Sequence, residues 1–173
     1  IMSKQLVLLG APGSGKGTQA RKLVEAMGYK HVSTGDLLRK EISEESDLGK
    51  KVSSILEAGN LVDDDTVLEL LSKNCQLNDH VYIFDGFPRN GTQAEMLGER
   101  ILKGHDCLAV YFDVDLGLIK DRIVNRRTCK DCGNIVNLLQ AAPKGEGQCD
   151  LCSGELLHRK DDIEETVQNR LSV

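Results

Sequence analysis

Gly10-Ala-Pro-Gly-Ser-Gly-Lys-Gly-Thr18 sets one lysine among four glycines, directly after the apolar run at 4–9. Glycines let a backbone curl until successive N–H groups point inward at phosphate oxygens. A helix opening from such a loop adds the positive end of its dipole, and Lys16 adds a full charge for the β- and γ-phosphates. Thr18 offers a hydroxyl to Mg²⁺. The loop at 10–18 therefore reads as a cradle for nucleotide phosphates. The general pattern carries Ser or Thr immediately after the lysine, whereas here Gly17 intervenes. A turn that binds nothing would need neither the lysine nor so many glycines.

Phe84-Asp85-Gly86 closes a second apolar run at 81–84. Asp85 then falls at the carboxyl edge of a sheet, where open α/β sheets bind ligands. A carboxylate there holds Mg²⁺ directly or through water, or else caps the next helix. The residue alone leaves both roles open.

Cys129-x-x-Cys132, sixteen residues, and Cys149-x-x-Cys152 have the spacing of a four-thiolate zinc site. Four thiolates at the corners of a tetrahedron leave no position for a reacting water, so the site reads as structural. The surrounding stretch at 128–158 holds four glycines and one proline. Such a segment has little apolar area to bury, and metal binding supplies the missing folding energy. Cys75 and Cys107 stand in helical and strand-like surroundings and read as small core residues. His31, His80, His105 and His158 are scattered and read as structural.

These groups need a scaffold. The run 4–9, a helix at 19–27, a short strand at 29–32 and helical pattern from 35 to about 73, broken at Gly59-Asn60, succeed one another. Strands at 81–84 and 108–113 follow, each leading into a helical stretch. Strands alternating with helices predict an α/β fold with a parallel sheet covered on both faces. Helices are expected at 115–127 and 161–171, with the cysteine-rich insertion between them.

Net charge is −5 and aromatics make up 3% of the 173 residues. A nucleic-acid binder shows a basic face or stacking aromatics, and neither is visible. No run approaches the ~18 apolar residues of a membrane span. The start of the chain lacks the basic and apolar stretches of a secretory signal, which predicts a cytoplasmic protein. In that compartment paired cysteines indicate metal before disulfide.

The loop at 10–18, with its glycine after the lysine, resembles that of the adenylate kinases. Four further segments resemble the same family: Ser33-Thr-Gly-Asp-Leu-Leu-Arg39, Gly59-Asn-Leu-Val62, Asp85-Gly-Phe-Pro-Arg89 with Gln93, and Arg159-Lys-Asp-Asp162 with Arg170. Asp121-Arg-Ile-Val-Asn-Arg-Arg127 is similar to the helix leading into that family's lid. The resemblance implies a P-loop nucleotide-kinase core at 1–32, 63–124 and 163–173, an AMP-binding arm at 33–62 and a zinc-containing lid at 125–162. It implies that Gly13, Ser14, Gly15, Lys16, Gly17, Thr18, Arg126, Ile135 and Val136 hold ATP. Thr34, Arg39, Asn60, Leu61, Val62, Gly86, Phe87, Pro88, Arg89, Gln93, Arg159 and Arg170 would line the AMP site. Lys16, Arg89, Arg122, Arg126, Arg159 and Arg170 would act on the transferring phosphoryl group. Thr18 and Asp85 would hold magnesium, and Cys129, Cys132, Cys149 and Cys152 zinc. A cis bond is expected at Phe87–Pro88.

The implied reaction is ATP + AMP = 2 ADP, by a monomer acting in adenine nucleotide balance, with ATP, AMP and ADP as its partners and neither nucleic acid nor membrane among them. Thr34 and Gln93 go with AMP in this family; Asn90 is less typical and favours a kinase for UMP or CMP. A zinc-ribbon binding module without activity is the third reading. The family continues beyond the position of Val173 with a core strand and a helix, so the chain is expected to be C-terminally short.

Overall fold

The computed structural model describes residues 4–172, apart from the side chains of Arg170 and Ser172, and separates into two compact units. The first runs as far as Asp113 without Ala11–Gly13 and Glu57–Asn60; those two stretches join Val114 onward in the second.

The first unit is built on a parallel sheet of order β2-β3-β1-β4, with β1 at Gln5–Leu9, β2 at Lys30–Ser33, β3 at Tyr82–Asp85 and β4 at Cys107–Tyr111. Pairing Leu8 with Asp85 and Leu9 with Tyr111 brings the carboxyl ends of the central strands level. Strand alternation sends successive side chains to opposite faces. Val7, Tyr82 and Phe84 join the larger core with Leu38, Val52, Leu71 and Leu97. Leu8 and Ile83 pack with Ala20 on the other face. The helices supplying these partners are α1 (Lys16–Met27), α2 (Thr34–Ser43), α3 (Asp47–Glu57), α4 (Asp64–Asn74) and α5 (Gly91–Arg100). Helix α1 begins at Lys16, three residues before the expected start, because the loop feeds it directly. The helical stretch at 35–73 is interrupted a second time, at Glu45, whose φ is 52°.

Helices flank the sheet as expected, and the exposed strand is β4. All five of its residues are exposed, Tyr111 at 68%. Cys107 is therefore exposed and is no core residue, which corrects its reading from the apolar run alone. Cys75 does pack against the larger core, and burial pushes its thiol up to about 11.

The second unit contains α6 (Leu116–Val124), a three-stranded antiparallel ribbon and α7 (Glu164–Ser172). The ribbon has order β6-β5-β7, from β5 at Arg126–Cys129, β6 at Ile135–Asn137 and β7 at Leu156–Leu157. Ile119, Ile123 and Val167 bury one another where α6 meets α7. The helix expected to reach 127 stops at Val124. Asn125 turns its side-chain amide onto the Asp121 carbonyl, and its own carbonyl accepts from Leu138, which commits Arg126 and Arg127 to the ribbon. A single 3₁₀ turn at Lys160–Asp162 and an extended Ile163 precede α7, so the last helix begins later than expected.

Candidate functional site

In the first unit, the loop leaves β1 at Gly10, where φ is 136°. A β-carbon there would lie 2.8 Å from the Phe112 carbonyl oxygen, so both conformation and space demand glycine. Lys16 Nζ donates to the Gly10 carbonyl at 2.8 Å, folding its charge back over the loop. Ser14 Oγ is buried and has no hydrogen-bond partner among the described residues. A β-carbon at Gly15 would meet nothing within 4 Å. An orphaned buried hydroxyl beside an open backbone cradle fits phosphate oxygens.

Asp85 ends β3, and its carboxylate lies 3.2 Å from His31 Nε2 on β2. It caps no helix: Asn90 does that for α5, accepting from the Gln93 N–H at 2.9 Å. That cap accounts for Asn90 without any pyrimidine nucleotide. Thr18 and Asp85 both supply the hard oxygen donors that Mg²⁺ takes.

The segments from Ser33 and Asp85 meet at Gly86. Its φ is 85°, and a β-carbon would come within 2.7 Å of Thr34 Oγ1. Thr34 is buried as the first residue of α2, and Phe87, in a cis bond with Pro88, is buried below. Arg89 Nε donates to the Gly86 carbonyl at 2.9 Å. Arg39 Nη2 pairs with Asp36 at 2.5 Å, and Val62 is buried in the larger core. Gln93 is 2% exposed. Its Oε1 accepts from the Arg89 N–H at 2.7 Å, and its Nε2 donates to Asp64 Oδ1 at 2.7 Å.

In the second unit, Arg126 lies on β5 and grips the fully buried Asp162 through Nε and Nη2 at 2.7 and 2.5 Å. Arg159 Nε donates to Thr128 Oγ1 at 3.1 Å. Arg122 lies on α6, and its carbonyl accepts from Asn137 of β6. Ile135 and Val136 form β6 opposite Thr128 and Arg127. Asn60 Oδ1 accepts from Asn169 Nδ2 of α7 at 2.8 Å. Arg170 also lies on α7, with its side chain outside the described residues.

The four ribbon cysteines form one cluster, their sulfurs all within 4.8 Å of one another. The Cys129–Cys152 and Cys132–Cys149 sulfurs are 3.5 and 3.7 Å apart. A zinc tetrahedron with Zn–S bonds of about 2.3 Å has edges of about 3.8 Å, so the cluster has the right size. Backbone N–H groups aim at the sulfurs. Those of Cys132 and Asp131 lower the Cys129 thiol, and those of Leu151 and Cys152 bring Cys149 down to about 6. The Gly154 N–H pulls Cys152 the same way, yet hydrogen bonds with the Cys132 and Cys129 thiols push it up to about 12. Sulfurs so close compete for charge, and a divalent cation relieves that competition.

The adenylate kinase family model matches residues 8–173. The chain belongs to the adenylate kinase family. It is 48% identical to an adenylate kinase of Thermosipho melanesiensis over 97% of its own length and 80% of that protein. With the adenylate kinase of Thermodesulfovibrio yellowstonii it shares 44% over 98% and 80%, and with that of Bacillus licheniformis 43% over 97% and 79%.

For this member of the adenylate kinase family, three side chains next to the expected site residues stand outside the expected set. His31 is one of four scattered histidines, yet it meets Asp85. Asp64 stands in an ordinary acidic helix start, yet it crosses to Gln93 on α5. Asp162 ends the Arg159-Lys-Asp-Asp segment, and its position there gives no sign that it pairs with Arg126.

Proposed function

We propose that the chain is a Mg²⁺-dependent ATP:AMP phosphotransferase interconverting ATP + AMP and two ADP. The observation that carries this reading is the Lys16 loop, opening onto α1 at the carboxyl edge of the parallel sheet in a chain of the adenylate kinase family. The attacking group is a phosphate oxygen of AMP, ionised at neutral pH because the second phosphate pKa is about 6. No general base is therefore needed. The protein must position both nucleotides in line and neutralise charge on the moving phosphoryl group.

Residues 13–18 hold the ATP phosphates through backbone N–H groups, with Lys16 supplying charge. Arg126, Ile135 and Val136 belong to the same substrate. Thr34, Arg39, Asn60–Val62, Gly86–Arg89 and Gln93 receive AMP. Arg89, Arg122, Arg126, Arg159 and Arg170 contribute the permanent charge and forked donors that match phosphate oxygens. Arg126 spends two of its five N–H donors on Asp162, so the remaining three are the ones it presents to a phosphate. Thr18 and Asp85 would hold Mg²⁺, directly or through water, and the bound ion would offset charge on the β- and γ-phosphates.

Residues 33–62 act as the arm over AMP and 125–162 as the lid, whose closure excludes water from the reaction. Zinc on the four cysteines orders the lid and takes no part in transfer. Among the described residues no helix is long and apolar enough to cross a membrane. The enzyme works as a cytoplasmic monomer in adenine nucleotide balance. A coupled assay of ADP formation from ATP and AMP tests the reading. Turnover with UMP or CMP comparable to that with AMP would reassign the acceptor, and no ADP from any monophosphate would leave only a binding module.

A further inference from the structure

A carboxamide is nearly symmetric in shape, so its partners decide which end is oxygen and which is nitrogen. For Gln93 both partners are of fixed polarity. The Arg89 backbone N–H can only donate, and it meets Oε1 at 2.7 Å. The Asp64 carboxylate accepts, and it meets Nε2 at 2.7 Å. Flipping the amide would set donor against donor and acceptor against acceptor around a side chain only 2% exposed. The neighbouring Asp63 cannot serve in its place, because it is the N-cap of α4, engaged with the Thr66 N–H and hydroxyl. Asp64, one residue into the helix, instead reaches α5.

We propose that Asp64 is the positioning residue that locks the polarity of the Gln93 carboxamide, and thereby makes the acceptor site select 6-aminopurine over 6-oxopurine nucleotides. The proposal rests on the reading that Gln93 meets the base of AMP. With two of its hydrogen-bonding positions used inside the protein, Gln93 retains one lone pair on Oε1 and one N–H on Nε2. A 6-aminopurine presents an N–H donor beside the N1 acceptor, which matches that oxygen and that N–H. A 6-oxopurine presents an acceptor at position 6 beside an N1–H donor, the reverse pattern. The reverse base would be accommodated by a flipped amide, and Asp64 is the side chain that opposes the flip. The Arg89 N–H, being backbone, opposes it too but does not change with residue type.

The test compares kcat/KM for AMP and inosine monophosphate, which differ at the 6 position and N1 proton while sharing ribose and phosphate. Sites that hydrogen-bond a substrate edge discriminate by roughly 10⁴. Asp64→Asn can present either an acceptor or a donor to Gln93. It should lower the efficiency with AMP and raise it with inosine monophosphate, shrinking the ratio by about tenfold or more. A role in stability alone would lower both together, and an unchanged ratio overturns the proposal. Gln93→Ala separates the role of Asp64 from that of Gln93 itself. If it abolishes discrimination while Asp64→Asn does not, Gln93 reads the base without help from Asp64. If it leaves discrimination intact, the assignment of Gln93 to the base is itself wrong. Should Asp64→Asn prove too unstable to assay, Asp64→Ser, too short to reach the amide, is read in the same way.

Discussion

Arg126 and Asp162 meet through two parallel hydrogen bonds, with the arginine 12% exposed and the carboxylate not at all. They stand at the two ends of the ribbon, where the chain enters at β5 and leaves through the 3₁₀ turn before α7. A fork-to-fork pair fixes direction as well as distance, so it sets how the ribbon departs from α6 and α7. Its burial makes it costly to break on one side only.

Asp162→Ala leaves the Arg126 guanidinium largely buried without its counter-charge. Breaking such a pair costs about 3–5 kcal/mol. Denaturant unfolding of the variant should show a loss of that size. A loss below about 1 kcal/mol, the range of exposed pairs, would mean that solvent reaches this one.

Lys16→Met is expected to abolish phosphoryl transfer without unfolding the chain. Losing one electrostatic contact to a developing charge costs roughly 10²-fold or more in turnover. Among its contacts the fold loses the bond from Nζ to the Gly10 carbonyl, which lies within the loop itself. Turnover measured beside circular dichroism separates the two effects, and near-parental turnover would remove Lys16 from the mechanism.

Both the loop and the cysteine cluster are legible in sequence because their chemistry is carried by close spacing. Gly10 to Thr18 is one continuous turn, and each cysteine pair is one knuckle. What stays hidden depends on partners brought together by folding. Gln93 is legible as a hydrogen-bonding group, but Asp64, 29 residues earlier, is not legible as its partner. Arg126 reads as helical because 115–127 carries helical pattern, and only pairing with Asn137 makes it a strand residue. The apolar run of β4 implies burial, yet all five of its residues are exposed.

Asp63 gives the pH dependence a definite sign. The Thr66 hydroxyl and N–H hold its carboxyl below the ordinary value of 3.8. A folded-state pKa below the unfolded one contributes stability above the unfolded value, and that contribution disappears as pH falls through the folded value. At pH 7, Asp63→Ala should cost about 0.5–1 kcal/mol as a lost N-cap. Below pH 4 the gap between the parent and Asp63→Ala should narrow. Asp63→Asn caps without titrating, so its stability should not follow that trend. A parent-to-alanine gap that is constant from pH 7 to pH 3 would show that the cap does not depend on the charge.

One zinc per chain is expected on Cys129, Cys132, Cys149 and Cys152, and its removal should loosen the ribbon before it affects chemistry. The ribbon has little core of its own. Leu139 and Leu151 are 66% and 74% exposed, and the buried cysteines Cys129 and Cys149 are its innermost side chains. With so little apolar burial, metal–thiolate bonding carries the folding energy of the segment. On the proposed reading Lys16 and the arginines serve the transferring phosphoryl group, and none of them is a zinc ligand. Chelation should therefore lower the melting temperature clearly, while at low temperature a good part of the transfer activity survives. Acidification should weaken the metal, since each ligand must lose its proton to bind. Elemental analysis showing no zinc, with four thiols freely titratable in the native protein, would refute the site. Loss of all activity on chelation in the cold, with circular dichroism unchanged, would give the metal a part in the reaction that a closed four-thiolate site does not allow.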